Sequence, residues 1–158
     1  MIKKHRYSWQ DIEKMCVALV NQMYVDNWRP DYIVGITRGG NVPATIISNL
    51  TGIRCESIKV SLRDDDSELE HNYAFAEDAQ EGKNILIVDD INDTGATFNW
   101  IADDWQVRDK DNVRWAVLTE NLSSEFDKVR YYSHEVHKAE EDVWLIYPWE
   151  DVGEYNVL

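Results

Sequence analysis

Cysteine and positive charge are both scarce in this sequence. Cys16 and Cys55 are the only cysteines among 158 residues, and neither belongs to a Cys-x-x-Cys pair. Two isolated thiols cannot form a disulfide framework, and such usage is typical of a reducing compartment. We therefore expect a cytoplasmic protein.

The shortage of cations restricts the kinds of partner. Lysine and arginine number 16 against 30 aspartates and glutamates, which gives a formal net charge of −14 at pH 7. Nucleic-acid-binding proteins usually present a basic face, so we expect no nucleic-acid partner. An anionic substrate would need a metal ion and a few local cations to bind here.

Long hydrophobic runs are missing as well. The basic segment 1–6 is not followed by the apolar stretch of a signal peptide, and no run of about 20 apolar residues is present to span a bilayer. We expect no membrane partner. The length and the 44% share of hydrophobic residues predict a single domain, residues 1–158.

Most of the chemical signal lies in residues 85–97, which read ILIVDDINDTGAT. Four consecutive apolar residues predict a strand that is buried on both faces. Asp89 and Asp90 follow where this strand should leave the sheet, and two carboxylates suit a sugar diol or a metal ion. The next loop opens a helix, where free N–H groups and the positive dipole end suit a phosphate. This predicted phosphate loop contains Asp93, Thr94, Gly95, Ala96 and Thr97.

A second loop follows the strand predicted at residues 32–36. It begins with Arg38, Gly39 and Gly40. A guanidinium and the N–H groups that glycines expose form a combination that suits pyrophosphate.

Other α/β proteins also carry acids after an apolar strand. A phosphorelay receiver needs its acid pair after the first strand and a lysine after the last strand, whereas here the pair lies in the middle of the chain. A Walker A loop and a G-x-G-x-x-G turn are absent from the sequence.

The acid pair with Asp-Thr-Gly-x-Thr resembles the phosphoribosyl pyrophosphate (PRPP) motif of the type I phosphoribosyltransferases, and the Arg-Gly-Gly loop resembles their pyrophosphate loop. The resemblance extends over residues 8–151. It implies an α/β fold with a mainly parallel sheet flanked by helices, and a small C-terminal hood at about residues 133–158. It also implies a lid loop at about residues 61–83. Lys59, just before this loop, and Arg63, within it, are weaker candidates for contacting PRPP.

The resemblance implies a role for each motif. Asp89 and Asp90 hold the ribose diol of PRPP directly or through Mg²⁺, and the phosphate loop holds the 5′-phosphate. Arg38, Gly39 and Gly40 hold the pyrophosphate. Asp93 accepts a proton from the acceptor base.

The C-terminal sequence VWLIYPWED, residues 143–151, points to the acceptor. It resembles the hood segment of the bacterial xanthine-guanine and archaeal purine phosphoribosyltransferases. By that resemblance Trp144 stacks on a purine, and the backbone near Trp144 and Leu145, or Glu150 and Asp151, meets its exocyclic groups. We also expect a homo-oligomer, as is usual in this family.

One departure leaves the acceptor open. Family members that use 6-oxopurines usually have a lysine after the fourth strand, whereas this chain reads TEN at residues 119–121. A 6-oxopurine is the favoured acceptor, but Glu120 facing the pocket would suit a 6-amino group, and Asn121 would suit either. The alternatives are a transferase for adenine or another base, and a non-catalytic regulator that binds PRPP or nucleotides.

The remaining patterns predict secondary structure. Ser8 and Asp11 predict an N-terminal capping box, and apolar residues at helical spacing predict a helix ending near Asp26. Further strands are predicted at residues 55–60, 115–118 and 129–132, and further helices at 45–50 and from 98 to about 107. Residues 133–142 are predicted to be a loop.

Overall fold

The computed structural model describes residues 2–61 and 69–153, and for residues 69–71 it describes the backbone alone. The described residues form seven strands and four helices. In chain order these are β1 (Lys3–Arg6), α1 (Trp9–Val25), β2 (Tyr32–Ile36), α2 (Asn41–Thr51), β3 (Cys55–Ile58), α3 (Leu69–Gln80), β4 (Ile85–Asn92), α4 (Ala96–Asp104), β5 (Val113–Asn121), β6 (Val129–Val136) and β7 (Val143–Ile146). Within the described ranges, none of the helices combines the length and the apolar character needed to cross a membrane.

A five-stranded parallel sheet forms the centre of the molecule, in the order β3-β2-β4-β5-β6. Strands β2 and β5 are buried along their whole lengths, as is expected where helices cover both faces of a parallel sheet. This arrangement confirms the predicted α/β fold with a mainly parallel sheet.

Helix α1 begins as its sequence predicts. The Ser8 hydroxyl accepts a hydrogen bond from the Asp11 N–H (3.0 Å), and the Asp11 carboxylate accepts one from the Ser8 N–H (2.8 Å), which completes a capping box. Its buried side chains recur at helical spacing: Ile12, Met15, Cys16, Leu19, Val20 and Met23. Burial raises the pKa of the Cys16 thiol to about 12, consistent with an inert core residue.

Two hydrophobic clusters lie on opposite faces of the sheet. One joins α1 and α2 to the sheet and includes Leu19, Ile47 and Leu86, whereas the other joins α3 and α4 to it and includes Phe98 and Trp105. The two clusters pack against opposite faces of the central strands. This packing fixes the positions of the strand ends, where the candidate functional groups lie.

Three strands extend beyond their predicted ends. Strand β4 continues through Asp89 and Asp90 to Asn92, so the acid pair lies within the strand rather than after it. Ile91 and Asn92 pair with Thr119 and with Glu120 of β5, which is also longer than predicted. The prediction from apolar residues ended too early because backbone pairing continues where the side chains become polar.

The prediction of a loop over residues 133–142 is wrong for its first four residues. Strand β6 reaches Val136 and pairs in parallel with β5. As the last strand of the sheet it alternates between more and less exposed side chains, and this produces a polar sequence without an apolar run.

Strand β1 was not predicted, and it pairs in parallel with β7, from Lys3 opposite Val143 to Arg6 opposite Ile146. The predicted hood segment is therefore joined to the N-terminal strand. In the predicted lid region, helix α3 occupies residues 69–80. Residues 62–68, including the candidate Arg63, lie outside the described part of the chain.

Candidate active site

The acid pair and the Arg-Gly-Gly loop meet at the carboxyl ends of β2 and β4, where ligands bind in open α/β sheets. A Cβ atom on Gly39 would lie 2.1 Å from Asp90 Oδ2, and one on Gly40 would lie 2.4 Å from the Val88 carbonyl oxygen. Only glycine permits this approach. The sequence places these two motifs about fifty residues apart, and the fold brings them into contact.

A ring of polar side chains fixes the start of the Arg-Gly-Gly loop. Thr37 Oγ1 and Ser57 Oγ are 2.8 Å apart, and Asn41 donates to Thr37 and accepts from Ser57. The Thr37–Arg38 peptide bond is cis. The ring links β2, β3 and α2, while the Arg38 side chain remains exposed at the edge of the site.

Asp89 and Asp90 are held by short backbone contacts. Asp89 Oδ1 accepts from the Asp90 N–H (2.9 Å), and Asp90 Oδ1 accepts from the Ile91 N–H (2.8 Å). Burial raises the pKa of Asp89 well above its usual range, and the adjacent Asp90 carboxylate raises it further. Burial also raises the pKa of Asp90. A bound cation would favour the charged forms of both buried carboxyl groups.

Asp89 and Asp90 provide two carboxylate ligands for Mg²⁺, and the remaining ligands would come from substrate and water. Within residues 2–61 and 69–153, no group of three or more histidine, cysteine or acidic side chains is placed to hold a metal ion. Mg²⁺ is commonly bound through one or two carboxylates together with waters and substrate phosphates. Asp89 and Asp90 therefore fit a metal ion that the substrate helps to hold.

The predicted phosphate loop opens helix α4. Gly95 is the N-cap residue, with a positive φ of 92°, and as a glycine it has no side chain to make a capping hydrogen bond. The Thr94 hydroxyl accepts from the Ala96 N–H (3.2 Å). Residues 89–98 line a cavity of about 190 Å³. An uncapped helix N-terminus that faces a cavity can donate its N–H groups to a phosphate.

Asp93 differs from the acid pair because its side chain is 46% exposed and forms an ion pair with Lys138 (3.0 Å). Asn121 fixes both partners: its amide donates to the Asp93 carbonyl (2.8 Å) and accepts from the Lys138 N–H (3.0 Å). Lys138 was not among the predicted site residues. It lies just after β6, and no motif in the sequence connects it with Asp93.

Glu120 and Asn121, which were considered as selectors of the base, both have hydrogen-bond partners inside the protein. Thr119 and Glu120 are consecutive in β5, so their side chains point to opposite faces of the sheet. Thr119 contacts Tyr7 and Tyr147, whereas the Glu120 carboxylate accepts from Asn92 (2.7 Å) on the other face. The Asn121 side chain, only 5% exposed, bridges Asp93 and Lys138.

Two tyrosines join the terminal segments to strands of the central sheet. The hydroxyl of Tyr147 donates to Thr119 (2.9 Å) and to the Asp90 carbonyl (3.3 Å), and Tyr7 contacts Thr119 (2.8 Å) and His134 (2.5 Å). The two rings stack, with centroids 4.9 Å apart. Neither tyrosine was predicted to belong to the site.

The predicted base-binding residues lie in the same terminal segment. Trp144 is 57% exposed, with the Lys4 ammonium 5.2 Å from its ring centroid, whereas the Leu145 side chain is buried in the core. Glu150 accepts from the Tyr147 N–H (3.2 Å), and its charge contributes to the raised pKa of Asp90. Contacts of these residues with a base remain a prediction.

The acid pair of β4, the Arg-Gly-Gly loop and the phosphate loop thus lie together in an α/β domain with a parallel sheet. The family model described as "Phosphoribosyl transferase domain" matches residues 1–146. The chain is 30% identical to xanthine-guanine phosphoribosyltransferase of Cereibacter sphaeroides, with 97% of this chain and 90% of that protein aligned. It is 27% identical to xanthine phosphoribosyltransferase 1 of Saccharomyces cerevisiae, with 96% and 92% aligned.

A solved structure agrees with this assignment at the level of the fold. The purine phosphoribosyltransferase from Pyrococcus horikoshii superposes with a TM-score of 0.70 over 99% of this chain and 100% of that chain, at 20% identity. The protein belongs to the phosphoribosyl transferase family. The resemblance inferred from the sequence motifs is thereby confirmed.

Proposed function

We propose that this chain is an enzyme that transfers ribose-5-phosphate from PRPP to a purine base, giving a nucleoside monophosphate and pyrophosphate. The observation that carries the proposal is the contact of the Arg38–Gly40 loop with the Asp89–Asp90 pair, beside the uncapped start of α4. These three features offer one site each for the pyrophosphate, the ribose and the 5′-phosphate of PRPP.

The proposed chemistry is governed by charge. Loss of pyrophosphate leaves positive charge on the sugar ring, and preorganised carboxylates stabilise such charge. Asp89 and Asp90 would hold the ribose diol, and the Arg38 guanidinium and the loop N–H groups would hold the leaving pyrophosphate. The exposed carboxylate of Asp93 would accept the proton from the purine ring as a general base.

Mg²⁺ is the proposed cofactor. When bound, it would neutralise pyrophosphate oxygens and join them to the protein. Asp89 and Asp90 are its proposed ligands, because burial raises the pKa of both carboxyl groups and a bound cation would favour their charged forms.

The purine is supported by the relatives and by the aromatic terminal segment. Two related proteins carry names that specify xanthine or guanine as their bases. Trp144 presents an exposed indole on which a planar base could stack, with Leu145 and Glu150 next along the segment. A 6-oxopurine is the proposed acceptor class.

The test is pyrophosphate release from PRPP and Mg²⁺ with guanine, hypoxanthine, xanthine, adenine or uracil. We expect release with at least one 6-oxopurine and little release without a base. Release with adenine or uracil alone would contradict the proposed acceptor. Binding of PRPP without release for any base would favour a non-catalytic regulator.

A further inference from the structure

Lys138 reaches the site from a segment that the motifs do not include. It lies two residues beyond β6, and its ammonium is 3.0 Å from Asp93 Oδ1. Its side chain is only 26% exposed. Its backbone N–H donates to the buried Asn121 side chain, which also holds the Asp93 carbonyl. The ammonium and the carboxylate are therefore placed side by side by the fold.

This pair presents a hydrogen-bond acceptor next to a hydrogen-bond donor. The five-membered-ring edge of a purine carries N7 beside the substituent on C6. If Asp93 takes the proton from N7, the neighbouring ammonium lies beside that substituent. An oxygen there accepts a hydrogen bond from Lys138, whereas an amino group would set donor against donor.

We propose that Lys138 is the specificity-determining residue of this site and donates a hydrogen bond to the 6-oxo group of the base. The proposal rests on the proposed function, because it takes Asp93 to face the purine. Lys138 would supply, from the segment that follows β6, the ammonium that is missing from residues 119–121 at the end of β5.

The other polar groups near the end of β5 are engaged elsewhere. The Glu120 carboxylate is bound by Asn92 on the face opposite Thr119. The Asn121 amide donates to Asp93, and its oxygen accepts from Ser123 as well as from Lys138. Among these polar side chains, Lys138 is the one whose ammonium lies beside the Asp93 carboxylate.

The test compares Lys138→Met with Lys128→Met, since the two lysines lie at opposite ends of β6 and both changes remove one positive charge. Lys128 is exposed and lines a cavity at the other end of the sheet. Dissociation constants are measured for inosine and adenosine 5′-monophosphates, which differ at C6. Pyrophosphate release with hypoxanthine is measured in parallel.

We expect Lys138→Met to weaken inosine monophosphate binding by about 10- to 100-fold, the usual effect of losing a hydrogen bond to a charged group. Binding of adenosine monophosphate should change by less than about 3-fold, because no favourable contact is lost. Lys138→Arg, which retains donors, should preserve the preference for the oxo nucleotide. Lys128→Met should alter neither constant.

An unchanged preference in Lys138→Met would overturn the proposal. Equal weakening of both nucleotides would also overturn it, because Lys138 would then serve only as the partner of Asp93. The two proposals fail in different ways: an intact chain that shows the lysine-dependent preference but releases no pyrophosphate with any base would refute the transferase alone.

Discussion

Three aspartates of one short motif occupy two different environments. Asp89 and Asp90 are carboxylates whose pKa values are raised by burial, whereas Asp93 is about half exposed and paired with a lysine. The first two suit the binding of a cation or a diol. The third is accessible to a proton on a substrate, and this difference supports the division of roles proposed for them.

At Asp93 we expect the change to Asn to reduce turnover by at least about 100-fold, in the range that general-base catalysis contributes. The amide is nearly isosteric and cannot accept the proton, so PRPP affinity should change by less than about 3-fold. Steady-state pyrophosphate release and PRPP binding by calorimetry measure the two effects. Near-normal turnover would show that Asp93 is not the base.

Burial raises the pKa of Glu120 to about 7. The folded state then keeps a proton that the unfolded chain, with its pKa near 4.5, releases as the pH rises. The free energy of unfolding should therefore fall between about pH 4.5 and pH 7. In Glu120→Gln the side-chain oxygen still accepts a hydrogen bond from Asn92, and the free energy of unfolding no longer falls through ionisation at this position.

We expect Glu120→Gln to gain about 2 kcal/mol over the natural chain at about pH 8, and little at about pH 4. Urea unfolding across this pH range measures the difference in free energy of unfolding between the variant and the natural chain. The matched control is Glu13→Gln, which removes one charge at an exposed position of α1. If this difference in free energy of unfolding did not vary with pH, Glu120 would ionise normally in the folded protein.

Candidate site residues could be predicted from the sequence where they occur at consecutive positions. The phosphate loop, the acid pair and the Arg-Gly-Gly loop were all proposed from residue types that suit phosphates and diols, and the fold brings them together. Lys138, Tyr7 and Tyr147 were not, because only the fold brings them to Asp93, to Thr119 and to the Asp90 carbonyl. Contacts of this kind leave no local pattern in the sequence.

Among the elements, helix α1 and the apolar parts of β2, β4 and β5 were predictable because side-chain periodicity and burial determine them. The polar ends of β4, β5 and β6 were not. They are specified by backbone pairing with neighbours, such as Asn92 with Glu120, which single-strand patterns do not reveal. Strand β1 has only four residues, is mostly exposed and has β7 as its pairing partner.

The turn from β4 into α4 depends on a glycine. Gly95 has a φ of 92°, and an added Cβ would lie 2.5 Å from the Phe126 nitrogen. We expect Gly95→Ala to lower the free energy of unfolding by about 3 kcal/mol, combining left-handed backbone strain with overpacking. PRPP affinity should fall as well, because the loop that opens the helix is displaced.

Gly52 provides the control for this change. It caps α2 with a φ of 74°, and a Cβ there would meet no atom within 4 Å. We expect Gly52→Ala to lower the free energy of unfolding by about 1 kcal/mol, the left-handed strain alone, with PRPP affinity unchanged. Equal losses in the two variants would mean that the contact with Phe126 is easily relieved.

At the scale of the whole molecule, a chain with a net charge of −14 binds a highly anionic substrate in our proposal. Long-range repulsion opposes such binding, so local N–H groups, Arg38 and Mg²⁺ have to outweigh it. The metal ion should therefore matter more to PRPP affinity here than the two carboxylates alone would suggest.

We expect PRPP at about 100 times its dissociation constant, with Mg²⁺ present, to stabilise the protein by about 2.7 kcal/mol. For a chain of this length the melting temperature should rise by about 5–10 °C. PRPP with a chelator, or Mg²⁺ alone, should give a much smaller rise. An equal rise with the chelator would exclude the metal ion from PRPP binding.

The pairing of β1 with β7 also has a consequence for synthesis on the ribosome. Lys3 pairs with Val143, so the first strand emerges about 140 residues before its partner exists. Until then β1 is an unpaired edge, and closing so long a loop slows its capture. The nascent chain can assemble the sheet edge proposed for PRPP well before the terminal segment proposed for the base, so the order of synthesis separates the two halves of the site.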